Sequence, residues 1–459
     1  MMTPIAPGPN PNEKTNVVVL ITSTANDQLV AFSVAVSSLA LVNESGNTIT
    51  LFTSGGNNSF FQPAEFMHLN GASEPLVSAT IPQGVYTSAV ATVGGCNFTE
   101  ITFTQNTLLN ATYAEGLCGQ GTGNATVNLA SPLTISGSAM VLSLNFQVSQ
   151  SFTLTGSTLT NNAVYTISPV FTLAPVALSA SPTNDQNGKI TGVEVQVTSI
   201  GANGTSFAVQ TISGVSLNIN SNVSTAFQGV SGVSALEAGM LLNVDGAIQS
   251  DGSLLATRVE LNDSAATAVF VGPLFTPTAE PGVFTLAVTD CFPAGLPACD
   301  SIIHANDATV FSVSGEINNL TNLPFTANFS ASNVFMGQNI ASFTAGARDN
   351  QEQLIVTTVT LEPQTIDGTV MAVSNTGGFS VYTVALAPYD LIPTVQTYLG
   401  ANANLNDPTT VMVYADSNTQ FLDSGSIGAG SVLRFRGVIF DDNGTLRMDC
   451  VEVADGVPE

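Results

Sequence analysis

The chain has 459 residues, of which 44% are hydrophobic and only 9% charged; 33 acidic residues face seven basic ones, for a formal net charge of −26. A surface that neutralises phosphates needs clustered Lys and Arg, so nucleic acid and anionic membrane surfaces are poor partners. No apolar run reaches the ~18 residues that span a bilayer, so no transmembrane segment is expected.

Residues 1–15 are rich in Pro and Asn, lack periodicity and read as a flexible tether. Asn16 to Thr22 (NVVVLIT) is the first strand, followed by alternating strands at Leu29–Leu41, Thr48–Phe52, Glu74–Gln83 and Ser88–Val93. Further short strands fall at Glu100–Phe103, Ala125–Leu129, Leu133–Ile135, Met140–Val148 and Tyr165–Leu173. Regular short strands separated by turn signals predict an all-β sandwich of immunoglobulin or transthyretin type over 16–175. Pro175 to Gly188 then reads as a linker.

Beyond the linker a β unit recurs. In ALEAGMLLNVDGAIQSDGSLLATRVEL (235–261) the apolar set Met240, Leu242, Val244 meets a second set, Leu254, Ala256, Val259, Leu261, across an Asp251-Gly252 turn. Near the C-terminus AGSVLRFRGVIFDDNGTLRMDCVEV repeats the layout: Gly239 to Gly246 and Gly430 to Gly437 are both seven residues apart, and Gly252 to Val259 matches Gly444 to Val451. Three units result, at 189–262, 265–362 and 365–455. The second is divergent, with no Gly in its hairpin turn. It keeps Met336-Gly337 and Thr309-Val310-Phe311, which answers Thr225-Ala226-Phe227 and Thr419-Gln420-Phe421. A unit with five or six strands and a Gly-kinked hairpin is expected to curl into a small barrel. Short linkers suggest beads on a string with modest interfaces.

The stretch TSTANDQLVAFSVAVSSLALVNESGNTITL, with EFMHLNG and IPQGVYTSA, resembles bacterial cell-envelope lipoproteins carrying domain-of-unknown-function family 4382. AGMLLNVDGAIQSDGSLLATRVEL is similar to family 5666, small β-barrel units that commonly follow it. Together the resemblances span nearly the whole chain. They imply an exported, often lipid-anchored protein with the Pro-rich tail as spacer, and they bring no established activity.

The start, MMTPIAPGPNPNEKT, lacks the basic and apolar regions of a signal peptide, so the protein is either cytosolic or numbered without its export signal. The cysteines favour export: Cys96 with Cys118, and Cys291 with Cys299 around the loop FPAGLPA, are disulfide candidates suited to an oxidising compartment outside the cytoplasm. Cys450 is left over and reads as a buried thiol on a strand. No metal or redox cysteine motif, G-x-S-x-G elbow or phosphate loop is present, and the two histidines, His68 and His304, lack zincin spacing. Catalytic groups and cofactors are therefore not expected. Calcium is the least implausible ion, at Asn184–Gly188, but that loop lacks a bidentate Glu downstream and reads as a linker turn. The apolar strand Val17, Val18, Val19, Leu20, Ile21 on a flexible tail could add to a neighbour's sheet edge; its alternative is to pair within its own domain. The sequence thus predicts a non-enzymatic cell-surface structural or adhesive protein that partners copies of itself, the alternative being an extracellular polysaccharide binder.

Overall fold

In the computed structural model the described residues are 8–24, 29–53, 64–65, 73–104, 107–110, 122–147, 150–155, 164–176, 188–211, 214–249, 251–277, 282–286, 288, 290–292, 302–317, 320–387, 390–399, 405–422 and 426–455. Their regular structure is almost entirely strand. The N-terminal unit holds β1 (Lys14–Thr24), β2 (Leu29–Asn43), β3 (Thr48–Thr53), β4 (Ala64–Glu65), β5 (Glu74–Pro82), β6 (Gly84–Thr104) and β7 (Thr107–Asn110). It continues with β8 (Thr122–Asn128), β9 (Leu133–Ile135), β10 (Ala139–Gln147), β11 (Phe152–Thr155), β12 (Val164–Ile167) and β13 (Val170–Pro175). Its main sheet runs β3-β2-β6-β8-β13-β10-β1-β5 and folds over on itself around one apolar core.

β1 explains its own composition. It lies between β10, parallel, and β5, antiparallel, with register Val18↔Val141 and Val18↔Ser78. Val17, Val19 and Ile21 point into the core of the N-terminal unit, while Val18 and Leu20 point the other way, into a core shared with the next unit. A strand buried on both faces reads as a continuous apolar run rather than an alternating one. Both edges of Val17–Ile21 are already hydrogen-bonded inside the chain, so the expectation that this strand is free to join a neighbour's sheet is corrected.

Three barrels follow. The first comprises β14 (Lys189–Ile200), β15 (Ser206–Thr211), β16 (Ser216–Asn220), β17 (Ala226–Gln228), β18 (Leu241–Ile248) and β19 (Leu254–Glu260). The second comprises β20 (Ala268–Pro277), β21 (Val283–Leu286), β22 (Asp290–Phe292), β23 (Ile302–Val313), β24 (Asn339–Thr344) and β25 (Leu354–Leu361). The third comprises β26 (Gln364–Thr376), β27 (Phe379–Leu386), α1 (Leu391–Leu399), β28 (Thr410–Leu422), β29 (Val432–Asp442) and β30 (Thr445–Asp455). Each closes in one order: β14-β15-β16-β19-β18, β20-β21-β23-β25-β24 and β26-β27-β28-β30-β29, the last strand returning to the first. Within that order only the third-to-fifth contact is parallel, and in the first barrel β17 extends it along β19. That topology is the five-stranded Greek-key barrel of the OB type, which leaves no long open edge.

The repeat is also one of local chemistry. In each barrel a threonine, just after the third strand in the first and at an irregularity within it in the other two, donates its hydroxyl to a carbonyl of the fifth strand: Thr225 to Ala256, Thr309 to Val356 and Thr419 to Cys450, each at 2.7 Å. In the first and third barrels the closing hairpin carries a bulge, with Thr257 inserted opposite Asp245-Gly246 and Val451 opposite Arg436-Gly437. Thr257 makes the apolar positions of β19 step by two and then three, from Leu254 and Ala256 to Val259. A Cβ on Gly246 or Gly437 would stand 2.5 or 2.1 Å from a carbonyl oxygen of the opposite strand, so glycine is required there. The second barrel pairs its hairpin without a bulge. At its turn Glu352 takes the left-handed conformation (φ 63°) that Gly252 and Gly444 hold at 85° and 84°.

The units are not beads on a string. Val18, Leu20, Val141 and Val176 share a core with the first barrel, and Leu241 and Ala266 pack on Val269, Val271, Phe292 and Phe343 of the second. Phe270 and Phe329 share a core with Val395, Val438 and Phe440 of the third. At roughly 1.5–3 kcal/mol for each large side chain removed from water, such contacts make the junctions part of the fold's stability.

Candidate functional site, a cleft where three barrels meet

Several of the few charged residues meet at the barrel junctions. Arg258 on β19 is buried and donates to both oxygens of Asp245 at 2.6 and 2.9 Å, to Asn243 Oδ1 at 2.7 Å and to Glu260. Burial would lower the guanidinium's pKa, but the charge and hydrogen bonds of Asp245 more than offset it and hold Arg258 firmly protonated. Glu260 in turn accepts from the Gly315 amide of the second barrel at 3.0 and 3.1 Å. A Cβ on Gly315 would displace the end of the Gln228 side chain of the first barrel.

From Gly315 the chain passes to Glu316, which holds Arg436 of the third barrel through both guanidinium nitrogens, one at 2.9 Å. Desolvation opposes the charge on Glu316, yet Arg436 wins and keeps that carboxyl below its ordinary range. Lys189, at the start of the first barrel, donates to Gln420 Oε1 of the third at 3.1 Å. One-sided removal of a partner from such buried pairs is costly, whereas the intact pair contributes little net stability. These contacts fix how the barrels sit more than they add to stability.

Between the ion pairs lies a cavity of about 490 Å³. The two bulged hairpins form opposite walls: Asp245, Gly246 and Thr257 come from the first barrel, and Arg436, Cys450 and Val451 from the third. Glu316, Ile317 and Asn322 of the second barrel line it as well, together with Phe379, Asn418 and Gln420. Bulges re-aim side chains and recur beside functional sites, and here they turn a barrel edge into a concave surface.

The cavity holds one carboxyl with no partner. Asp449 makes no side-chain hydrogen bond among the described residues; burial, and then the charge of Asp416, push it up to about 7. Asp416 is committed locally, accepting from the amides of Asn418 and Thr419 at 2.7 and 3.2 Å. Glu452 is also raised, mainly by burial. The wall therefore offers a carboxyl poised between donor and acceptor, several amides and hydroxyls, one aromatic ring, and cations already engaged.

Of the residues singled out from sequence, Cys450 lines the cleft and the other described ones fall elsewhere. His304 Nδ1 lies 2.7 Å from Asp349 Oδ2 at the hairpin turn of the second barrel, away from the cavity. Cys291 is buried on β22 and disulfide-bonded. Cys118, Cys299, His68 and residues 184–187 lie outside the described residues, as does the side chain of Cys96, whose backbone is on β6. Cys450 is a free, buried thiol on β30, raised by burial. Among the described residues no three His, Cys, Asp or Glu side chains are grouped to hold a metal ion. No helix there is long and apolar enough to cross a membrane.

The segment from Glu194 to Glu260, which is the first barrel from within β14 to the end of β19, matches DUF5666, a domain of unknown function. No match to a curated protein is found. The matching segment contributes Asp245 and Thr257 to the cleft.

Proposed function

We propose that the chain is a non-enzymatic, exported protein that serves as a structural or adhesive element of the cell surface. The observation that carries this reading is the joining of the four β units through shared apolar cores and, between the second and third barrels, through the Arg436–Glu316 ion pair. Units locked together through shared cores suit a load-bearing part. The disulfide at Cys291 suits an oxidising compartment, and the resemblance of residues 16–175 to cell-envelope lipoproteins points the same way, with a lipid anchor in the native precursor. Assembly with copies of itself belongs to this reading, by contacts other than β1. Shaving intact source cells with a protease and identifying the released peptides tests it. Peptides of this chain should appear without lysis, and a chain that stays protected until the cells are broken overturns the proposal.

A second reading, recognition of an extracellular polysaccharide, is favoured by one observation, the polar cleft among the three barrels. Fold alone does not choose between the two.

A further inference from the structure

We propose that the cleft framed by the two bulged hairpins binds a neutral, polyhydroxylated ligand, a short stretch of saccharide, and that it does so through hydrogen bonds rather than charge. This rests on the polysaccharide reading and assigns it a site and a ligand class.

Four features select the class. The volume, about 490 Å³, sits within the ~300–1,000 Å³ of small-molecule sites, far more than a bare ion needs. Five carboxylates line it, Asp245, Glu316, Asp416, Asp449 and Glu452, against two cations, Lys189 and Arg436. Arg436 is paired with Glu316, and Lys189, which donates to the neutral amide of Gln420, is outnumbered by the carboxylates around it, so a phosphate or uronate would meet net repulsion. A purely apolar ligand would strand the polar wall without hydrogen bonds, which is costly. A cationic ligand would find few free carboxylates, since Asp245 and Glu316 are held by Arg258 and Arg436, Asp416 accepts from local amides, and burial raises Asp449 and Glu452. What remains is a ligand whose groups both donate and accept, as hydroxyls do.

The wall is matched to such groups. Asp449, unpartnered and raised towards neutrality, can accept or donate. Asn418 spends its side-chain NH2 on Asp416 at 3.0 Å, leaving its carbonyl oxygen for a ligand hydroxyl. Thr257 stands exposed at the bulge on the facing wall. Phe379, anchored edge-on against Tyr414 with centroids 6.2 Å apart, gives the only aromatic surface among the lining residues. The walls come from three interlocked barrels, so little ordering is left for binding to impose.

The test is a glycan array followed by calorimetry on the full chain. Neutral oligosaccharides are set against uronate-containing and amino-sugar oligomers, and the variants Asn418→Ala and Thr257→Val each remove one polar group from opposite walls. Neutral sugars should bind. Either variant should weaken them by about 3- to 10-fold, the usual worth of one hydrogen bond, with an unchanged circular dichroism spectrum. Asp449→Asn should retain binding while removing its pH dependence around neutrality. Binding that neither wall variant alters places the saccharide elsewhere and overturns the site while the polysaccharide reading stands. Preference for amino sugars overturns the ligand class, and no saccharide bound at all overturns both.

Discussion

Replacing Glu362 with Gln separates a stabilising from a destabilising reading of the buried acids. Glu362 follows β25 at the junction of the first and second barrels, and burial, then the charges of Glu260 and Glu194, push its carboxyl from the ordinary 4.5 up to about 8. The folded protein therefore holds a proton there that the unfolded chain releases above pH ~4.5. The native state binds more protons through this window, so stability falls as pH rises. The slope from this one group is about 1.4 kcal/mol per pH unit, which amounts to roughly 2 kcal/mol between pH 6 and 8. Glu260, Asp449 and Glu452 are raised as well and add slope of the same sign. Gln keeps a neutral hydrogen-bonding end for Ser314, the side chain that bonds Glu362. Glu362→Gln should thus gain on the order of 4 kcal/mol at pH 8 and less than about 1 kcal/mol at pH 5. Urea unfolding of both proteins at the two pH values reads this as a midpoint shift that grows with pH. An equal loss at both would mean that the carboxylate itself is needed, and would refute the reasoning.

Three further outcomes follow from the barrels. Glu352→Gly should raise the stability of the second barrel by about 0.5–1 kcal/mol, because a non-glycine residue at φ 63° gives up roughly that much; thermal unfolding measures it. Gly437→Ala should cost about 1–3 kcal/mol or more, since its Cβ would sit 2.1 Å from the Asp449 carbonyl oxygen. Hydrogen exchange should then quicken along β29 and β30. Arg258→Met leaves Asp245 and Glu260 buried without their cation and should cost about 3–5 kcal/mol at neutral pH. That loss should shrink on acidification as the carboxyls take up protons, which chemical denaturation at two pH values resolves.

Much of the barrel architecture is legible in the sequence because glycine is irreplaceable at a few points. The interval from Gly239 to Gly246, repeated from Gly430 to Gly437, marks a left-handed residue at φ 96° or 92° followed by a bulge partner. The second hairpin hides because Glu352 takes the strained conformation that glycine holds elsewhere. β1 is legible as a strand, but its unbroken apolar run reports burial on two faces, not an open edge. Helix α1 escapes notice, being one short element with Pro393 in its first turn, made necessary by the pocket that takes Ile392 and Val395. The cleft escapes too. Asp245, Glu316, Arg436 and Asp449 are far apart in the chain, and only the scarcity of basic residues, seven in all, hints that each has a dedicated task.

The place of β1 sets an order of events for a growing chain. Its two hydrogen-bonding neighbours lie at residues 74–82 and 139–147, and Asn16 is roofed by the turn at Gly252. The strand made early can pair only once residue 147 has been made, and its second apolar face, Val18 and Leu20, is covered only when the first barrel has followed. Until then an apolar face waits exposed, which favours holding by a chaperone before the molecule locks.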